Sequence, residues 1–188
     1  MIQLLVTLAA LLGIATPGAT STGRFEPSGR PVRLTVAASG DLLVHTPVAR
    51  RALALGGGRR YDFAPLFAPV RRVIGGADVA LCHMETPLVP GPVQGYPVFH
   101  TPPDLARSVK RVGWDACSTA SNHSLDAGQS GIDSTLRALR RAGVKATGTS
   151  RSGRARRTIE MLHVRGVRIA FLSYTAVSTA RRCRTRGA

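Results

Sequence analysis

Lysine is almost missing from this chain of 188 residues: Lys110 and Lys145 stand against 24 arginines. Acids are scarce too, ten in all, so the formal net charge at pH 7 is +16. Arginine set among abundant alanine and glycine is what GC-rich coding produces. Whatever its origin, the positive field favours anionic partners, whether phosphates or acidic polymers. Aromatic residues make up only 5%. No helix-turn-helix, zinc-finger or RNA-binding signature is present, and together these argue against nucleic acid as the partner. Cysteine is limited to Cys82, Cys117 and Cys183. None belongs to a CxxC pair, which excludes a thiolate metal site of the usual spacing. Cys82 and Cys117 lie in apolar, strand-like runs; buried inert thiols are the simpler reading, a disulfide the alternative in an exported protein. Gly56-Gly57-Gly58 has no strand before it and no Lys-Ser/Thr after it, so it is not a phosphate-binding P-loop.

What is present suits one domain with a real core. The hydrophobic fraction is 44%, ordinary for a globular chain. Residues 1–21, MIQLLVTLAALLGIATPGATS, are apolar and uncharged, with small residues at Pro17-Gly18-Ala19. The apolar run ends near Ala15, too short for a comfortable membrane span. It reads as a secretory signal peptide, with an uncleaved anchor as the alternative because the start carries no Lys or Arg. Residues 22–32 are a polar Gly/Pro linker, and residues 176–188 an Arg-rich tail without periodicity. Between them, strands are expected at Arg33–Ala38, Asp78–Cys82, Trp114–Ser118 and Val144–Gly148. Helices are expected at Pro47–Leu55, Phe63–Ile74 and Pro103–Val112. A further helix carries Ile132, Leu136 and Leu139 on one face and ends at Gly143. Two apolar runs joined by Arg165-Gly166 read as a β-hairpin. Strands alternating with helices predict an α/β fold with a parallel sheet.

Three successive strands deliver polar residues at their carboxyl ends: Asp41 and His45, then His83 and Glu85, then Asn122 and His123, with Asp126 following. Each piece alone is an ordinary turn. Their recurrence on one edge of a parallel sheet is what points to a site. Carboxylate, amide oxygen and imidazole suit a divalent cation such as Mn, Fe or Zn. A pair of such cations can activate water for phosphoryl displacement. Glu85 is the candidate bridging carboxylate, and His123 a candidate proton donor to the leaving oxygen.

The ordered pieces Gly40-Asp41 with His45, Ala77-Asp78-Val79 through Glu85-Thr86-Pro87, Ala120-Ser121-Asn122-His123-Ser124-Leu125-Asp126-Ala127-Gly128 and Phe171-Leu172-Ser173-Tyr174-Thr175 resemble the bacterial capsule-synthesis CapA family. That family is associated with poly-γ-glutamate production and export, and its fold is similar to the calcineurin-like metallophosphatases. The resemblance spans residues 33–175 and implies an α/β, metallophosphatase-like αββα sandwich. It implies Asp41, Glu85 and Asn122 as metal ligands and His123 as a catalytic acid or phosphate binder. His45, His83 and Asp126 would be auxiliary, Asp126 orienting the His123 ring. It implies an anionic polymer or phosphate-containing substrate, membrane-bound capsule machinery as a partner, and a secreted or envelope location. His83-Met84-Glu85 replaces the family's Asn-Leu-Glu, and Ser121-Asn122-His123 its Asn-Asn-His. No histidine follows His163, whereas the family supplies more beyond this point. The expectation is therefore a C-terminally truncated member with an incomplete second half and metal site. A non-catalytic Arg-rich binder of acidic polymer and a gene fragment without function are the alternatives.

Overall fold

The computed structural model describes residues 31–178. The expected signal peptide, all of the linker but residues 31 and 32, and residues 179–188 of the tail lie outside the described residues. What is described is mixed α/β. Its main sheet has four parallel strands in the order β1 (Val36–Asp41), β2 (Val79–His83), β3 (Ala116–Ser118) and β4 (Lys145–Thr147). Helices α1 (Thr46–Leu55), α2 (Arg71–Gly75), α3 (Asp104–Val112) and α4 (Gly128–Ala142) fall in the connections. With strands added in sequence order, crossovers of one hand put every helix on the same face. One core cluster accordingly joins Ala80, Cys82 and Cys117 of the sheet to Ala49 and Ala52 of α1, Leu105 and Val109 of α3, and Leu139 of α4. Trp114, fully buried, meets Phe67 edge-on at 5.0 Å in the same cluster.

Alternate residues of the strands point the other way. Val79 and Ala116 pack there against Leu162 of a hairpin, β5 (Glu160–Val164) and β6 (Val167–Phe171). Its turn residues Arg165 and Gly166 have φ of 48° and 80°, the left-handed pair that a two-residue turn requires. Lys145 Nζ to Glu160 at 2.8 Å and Arg165 to Asp78 at 2.7 Å tie the hairpin to the sheet. Helices, parallel sheet and second β layer make a partial α/β metallophosphatase-like fold.

Two local expectations are corrected. The expected helix Phe63–Ile74 is a 3-10 turn, Ala64–Phe67, followed by the short α2. Pro69 has no N–H to donate and its ring crowds the preceding turn, so the helix cannot run through. The first strand starts and ends later than Arg33–Ala38, so Asp41 is its last residue and not a turn residue after it. A register irregularity between Ala38 and Asp41 takes up Ser39 and Gly40. Cys82 and Cys117 are direct partners across β2 and β3, with Cα atoms 4.4 Å apart, and are joined as a disulfide.

The Glu85 turn is held from three sides. Thr86 and Thr101 share a buried hydroxyl–hydroxyl hydrogen bond of 2.8 Å. The Leu88 N–H donates to Thr135 Oγ1 of α4 at 2.8 Å. Gly131 lies so close that an added Cβ would meet Ala127 Cβ at 2.5 Å and Pro87 Cβ at 3.5 Å. Thr135→Val keeps the volume but leaves a buried N–H unmatched. Its expected cost is about 1–3 kcal/mol, read from urea denaturation; a change within about 0.5 kcal/mol, as at ordinary surface sites, would show that this bond does not hold the turn.

Candidate metal centre

Parallel registry sets the site. Asp41 pairs with His83, His83 with Ser118, and Ser118 with Thr147, one row across the carboxyl edge of the sheet. The next N–H groups close the row: Leu42 donates to His83 O, Met84 to Ser118 O and Thr119 to Thr147 O, each at 2.8 Å. Two residues past the end of β2, Glu85 lies close enough to Asp41 for the two carboxyl groups to act on one another. Burial first, then the Asp41 carboxylate, raises the Glu85 pKa above its usual value, while His123 and His83 pull it down. Glu85 Oε2 is buried and has no hydrogen-bond partner among the described residues.

Seven acids of the described residues have a basic partner within 4.0 Å: Asp62, Asp78, Asp104, Asp115, Asp126, Asp133 and Glu160. Asp41 and Glu85 have none among the described residues. In a chain with 26 basic residues, the two acids that act on each other are the two of the described residues left without a basic partner.

The third strand end is a closed turn. Ser124 Oγ accepts from the Ser121 N–H at 2.7 Å and lies 2.7 and 2.8 Å from the carbonyls of Thr119 and Ser121. The His123 N–H donates to Ser121 Oγ at 3.0 Å. His123 Nδ1 lies 2.8 Å from Asp126 Oδ2, whose side chain is 1% exposed. The same oxygen accepts the Phe99 N–H at 2.8 Å. An Nδ1–H pointing at a carboxylate leaves the other ring nitrogen, Nε2, as the one free to carry a proton or a ligand. Phe99 is clamped edge-on between His45, 5.2 Å away, and His123, 4.7 Å away.

Of the residues singled out from sequence, Asp41, Glu85, His83 and His123 thus act on one another, and Asp126 bears on His123. His45 is exposed and reaches the cluster only through Phe99. Asn122 is half-buried, with Oδ1 3.3 Å from Ser121 Oγ. Among the described residues no group of three or more His, Cys, Asp and Glu is placed to hold a metal ion. The geometry offers two adjoining carboxyl groups, not a closed cage. Sequence reading missed Ser118, whose Oγ lies 2.6 Å from His83 Nδ1, because only strand registry pairs them. It also missed Phe99, whose role depends on a loop folding back. Ser121 and Ser124 carried a local signal, since hydroxyls at this spacing close turns.

A carboxyl with a raised folded-state pKa favours the fold while protonated. That contribution is complete below the ordinary Glu value and is lost as pH rises through the raised one. In a chelating buffer, Glu85→Gln should melt with the wild type near about pH 4 and above it by about pH 7.5. Superimposable thermal profiles across that range would contradict the raised pKa.

Comparison with known proteins agrees with this architecture. The chain is 27% identical over 168 residues to the uncharacterized protein y4uA of Sinorhizobium fredii (strain NBRC 101917 / NGR234). The match takes in 82% of this chain and 34% of that protein, so the chain spans about a third of the length of its curated relative. Residues 35–187 match the family model described as bacterial capsule synthesis protein PGA_cap, and the chain belongs to that family.

Proposed function

We propose that this chain acts outside the cytoplasm in the synthesis of an anionic capsule polymer of the poly-γ-glutamate kind, as a metal-dependent phosphoesterase-type domain. The observation that carries the metal is the Asp41–Glu85 pair. Two adjoining carboxyls, one oxygen buried and unmatched, without a basic partner among the described residues, are unfavourable as they stand. A divalent cation supplies the missing charge and ligation. The carboxyl oxygens suit Mn, Fe or Zn, and the Asn122 amide oxygen is the third donor we assign to the site. When bound, such a cation lowers the pKa of water and polarises a phosphoryl oxygen.

The chain's own residues do the rest. Asp126 fixes the His123 ring through Nδ1, so that Nε2 presents a proton to the leaving oxygen. Phe99 holds the His123 ring from its edge and limits water around it. His83 lies near Glu85 and adds positive charge there whenever it is protonated. The Cys82–Cys117 disulfide supports an oxidising, extracytoplasmic location. No helix among the described residues is long and apolar enough to cross a membrane.

Adding Mn²⁺ to chelator-treated protein should raise the melting temperature by about 5–10 °C at about 100 times Kd. Asp41→Asn and Glu85→Gln should lose that shift. His123→Asn should keep the shift yet lose hydrolysis of bis(p-nitrophenyl) phosphate by about 100-fold or more, within the range general acids contribute. If Mn²⁺, Fe²⁺ and Zn²⁺ all leave the wild-type melt unchanged, the metal reading is wrong.

A further inference from the structure

A second feature lies away from the carboxyl edge, on the helical face. Between α3 and α4 runs a groove of about 380 Å³ walled by Pro90 and Pro103 and lined by Arg107, Arg137 and Arg141. Ala138 and Ala142, with nothing beyond Cβ, leave the space between these arginines open. The acids of the two helices offset only Arg107. Asp104, the one acid of α3, is held by Arg107. Asp133, the one acid of α4, is taken by Gln129 at 3.1 Å and by Arg151 at 3.7 Å. Arg137 and Arg141 have no acid within 4.0 Å among the described residues, yet stand at i and i+4 on one helical stripe, where like charges work against the helix. A bound anion relieves that repulsion.

A comparable cleft between α2 and α3 carries Arg71, Arg72 and Arg111. It has a simpler explanation. Arg111 is bound to Asp62 at 3.1 Å, and Arg72 lies on the last turn of α2, where a cation complements the helix end. Arg141 complements the end of α4 in the same way, but Arg137 sits a turn and more from that end and has neither an acid nor a helix end to explain it.

We propose that the α3–α4 groove is a binding site for a linear polyanion without aromatic bases, its repeated oxyanions held by Arg107, Arg137 and Arg141. Guanidinium groups match carboxylate and phosphate oxygens in bidentate fashion. No aromatic side chain lines the groove, so it offers no platform on which nucleobases would stack. Pro90 lies on the same loop as Glu85, which links the groove to the carboxyl edge by chain connection. The inference does not depend on the metal reading: binding here involves neither Asp41 nor Glu85.

The test is binding of poly-L-glutamate, inorganic polyphosphate and a single-stranded oligonucleotide to the full chain in a chelating buffer, at low and at physiological salt. The reference is the double variant Arg137→Gln/Arg141→Gln. Its control is Arg50→Gln/Arg51→Gln on α1, which lowers net charge equally outside the groove. Gln is a good helix former, so circular dichroism melts should match the wild type and exclude unfolding. The groove variant should weaken poly-L-glutamate or polyphosphate binding about tenfold, the control less than about twofold. Which of the two polymers responds identifies the oxyanion. Equal weakening by both doubles would reduce the effect to diffuse charge and overturn the site, as would no weakening by either. An oligonucleotide that binds more tightly than both polymers and responds to the groove variant would overturn the ligand class.

Discussion

Two carboxyl groups that repel one another are kept in contact at the end of this sheet, and much of the surrounding structure exists to keep them there. Parallel pairing places Asp41 level with His83, and the chain then needs two further residues to bring Glu85 back against Asp41. Left alone, such a pair would separate, protonate or draw in an arginine. Burial and the Asp41 carboxylate push the Glu85 pKa up. Separation is prevented by the Thr86–Thr101 bond, the Leu88–Thr135 bond and the close approach of Gly131 to Pro87. No arginine among the described residues pairs with either carboxyl; Asp78 takes Arg165, Asp62 takes Arg111 and Asp133 lies against Arg151 elsewhere.

Charge is therefore distributed with more order than a formal +16 suggests. Where an arginine has an acid beside it, the pair stitches elements together, as Arg165 does between hairpin and sheet. Where arginines lack acids, as at Arg137 and Arg141, they line open space. Among the described residues, the acids without a basic partner, Asp41 and Glu85, lie at the carboxyl edge. The net positive charge around them draws anions toward the molecule.

His123 shows how a motif becomes a site. Its ring is fixed by Asp126 three residues on, its backbone by Ser121 two residues back, and its edge by Phe99 from a different loop. Two of these contacts are local; the Asp126 one is expected from the family resemblance, the Ser121 one is not. The third depends on the loop of residues 87–102 folding back to place the Phe99 N–H on Asp126, and nothing in the spacing of that Pro/Gly-rich segment specified it.

Fold class followed from the sequence because it rests on local preferences. Apolar runs alternating with helical periodicity, the left-handed cap at Gly143 and the Arg165-Gly166 turn each form from neighbouring residues. Errors arose where one residue outweighed a pattern, as Pro69 did in the broken helix. The sequence also named Asp41, Glu85, Asn122 and His123, since polar residues recurred after three successive strands in the order of the family's motifs. Registry across strands is a different matter. That His83 would meet Ser118, that Cys82 would bond Cys117, and that Asp41 would press on Glu85 while every arginine of the described residues stayed away, are relations between residues tens of positions apart. Pairing and packing of the whole sheet fix them, and no window of sequence contains the distance that decides them.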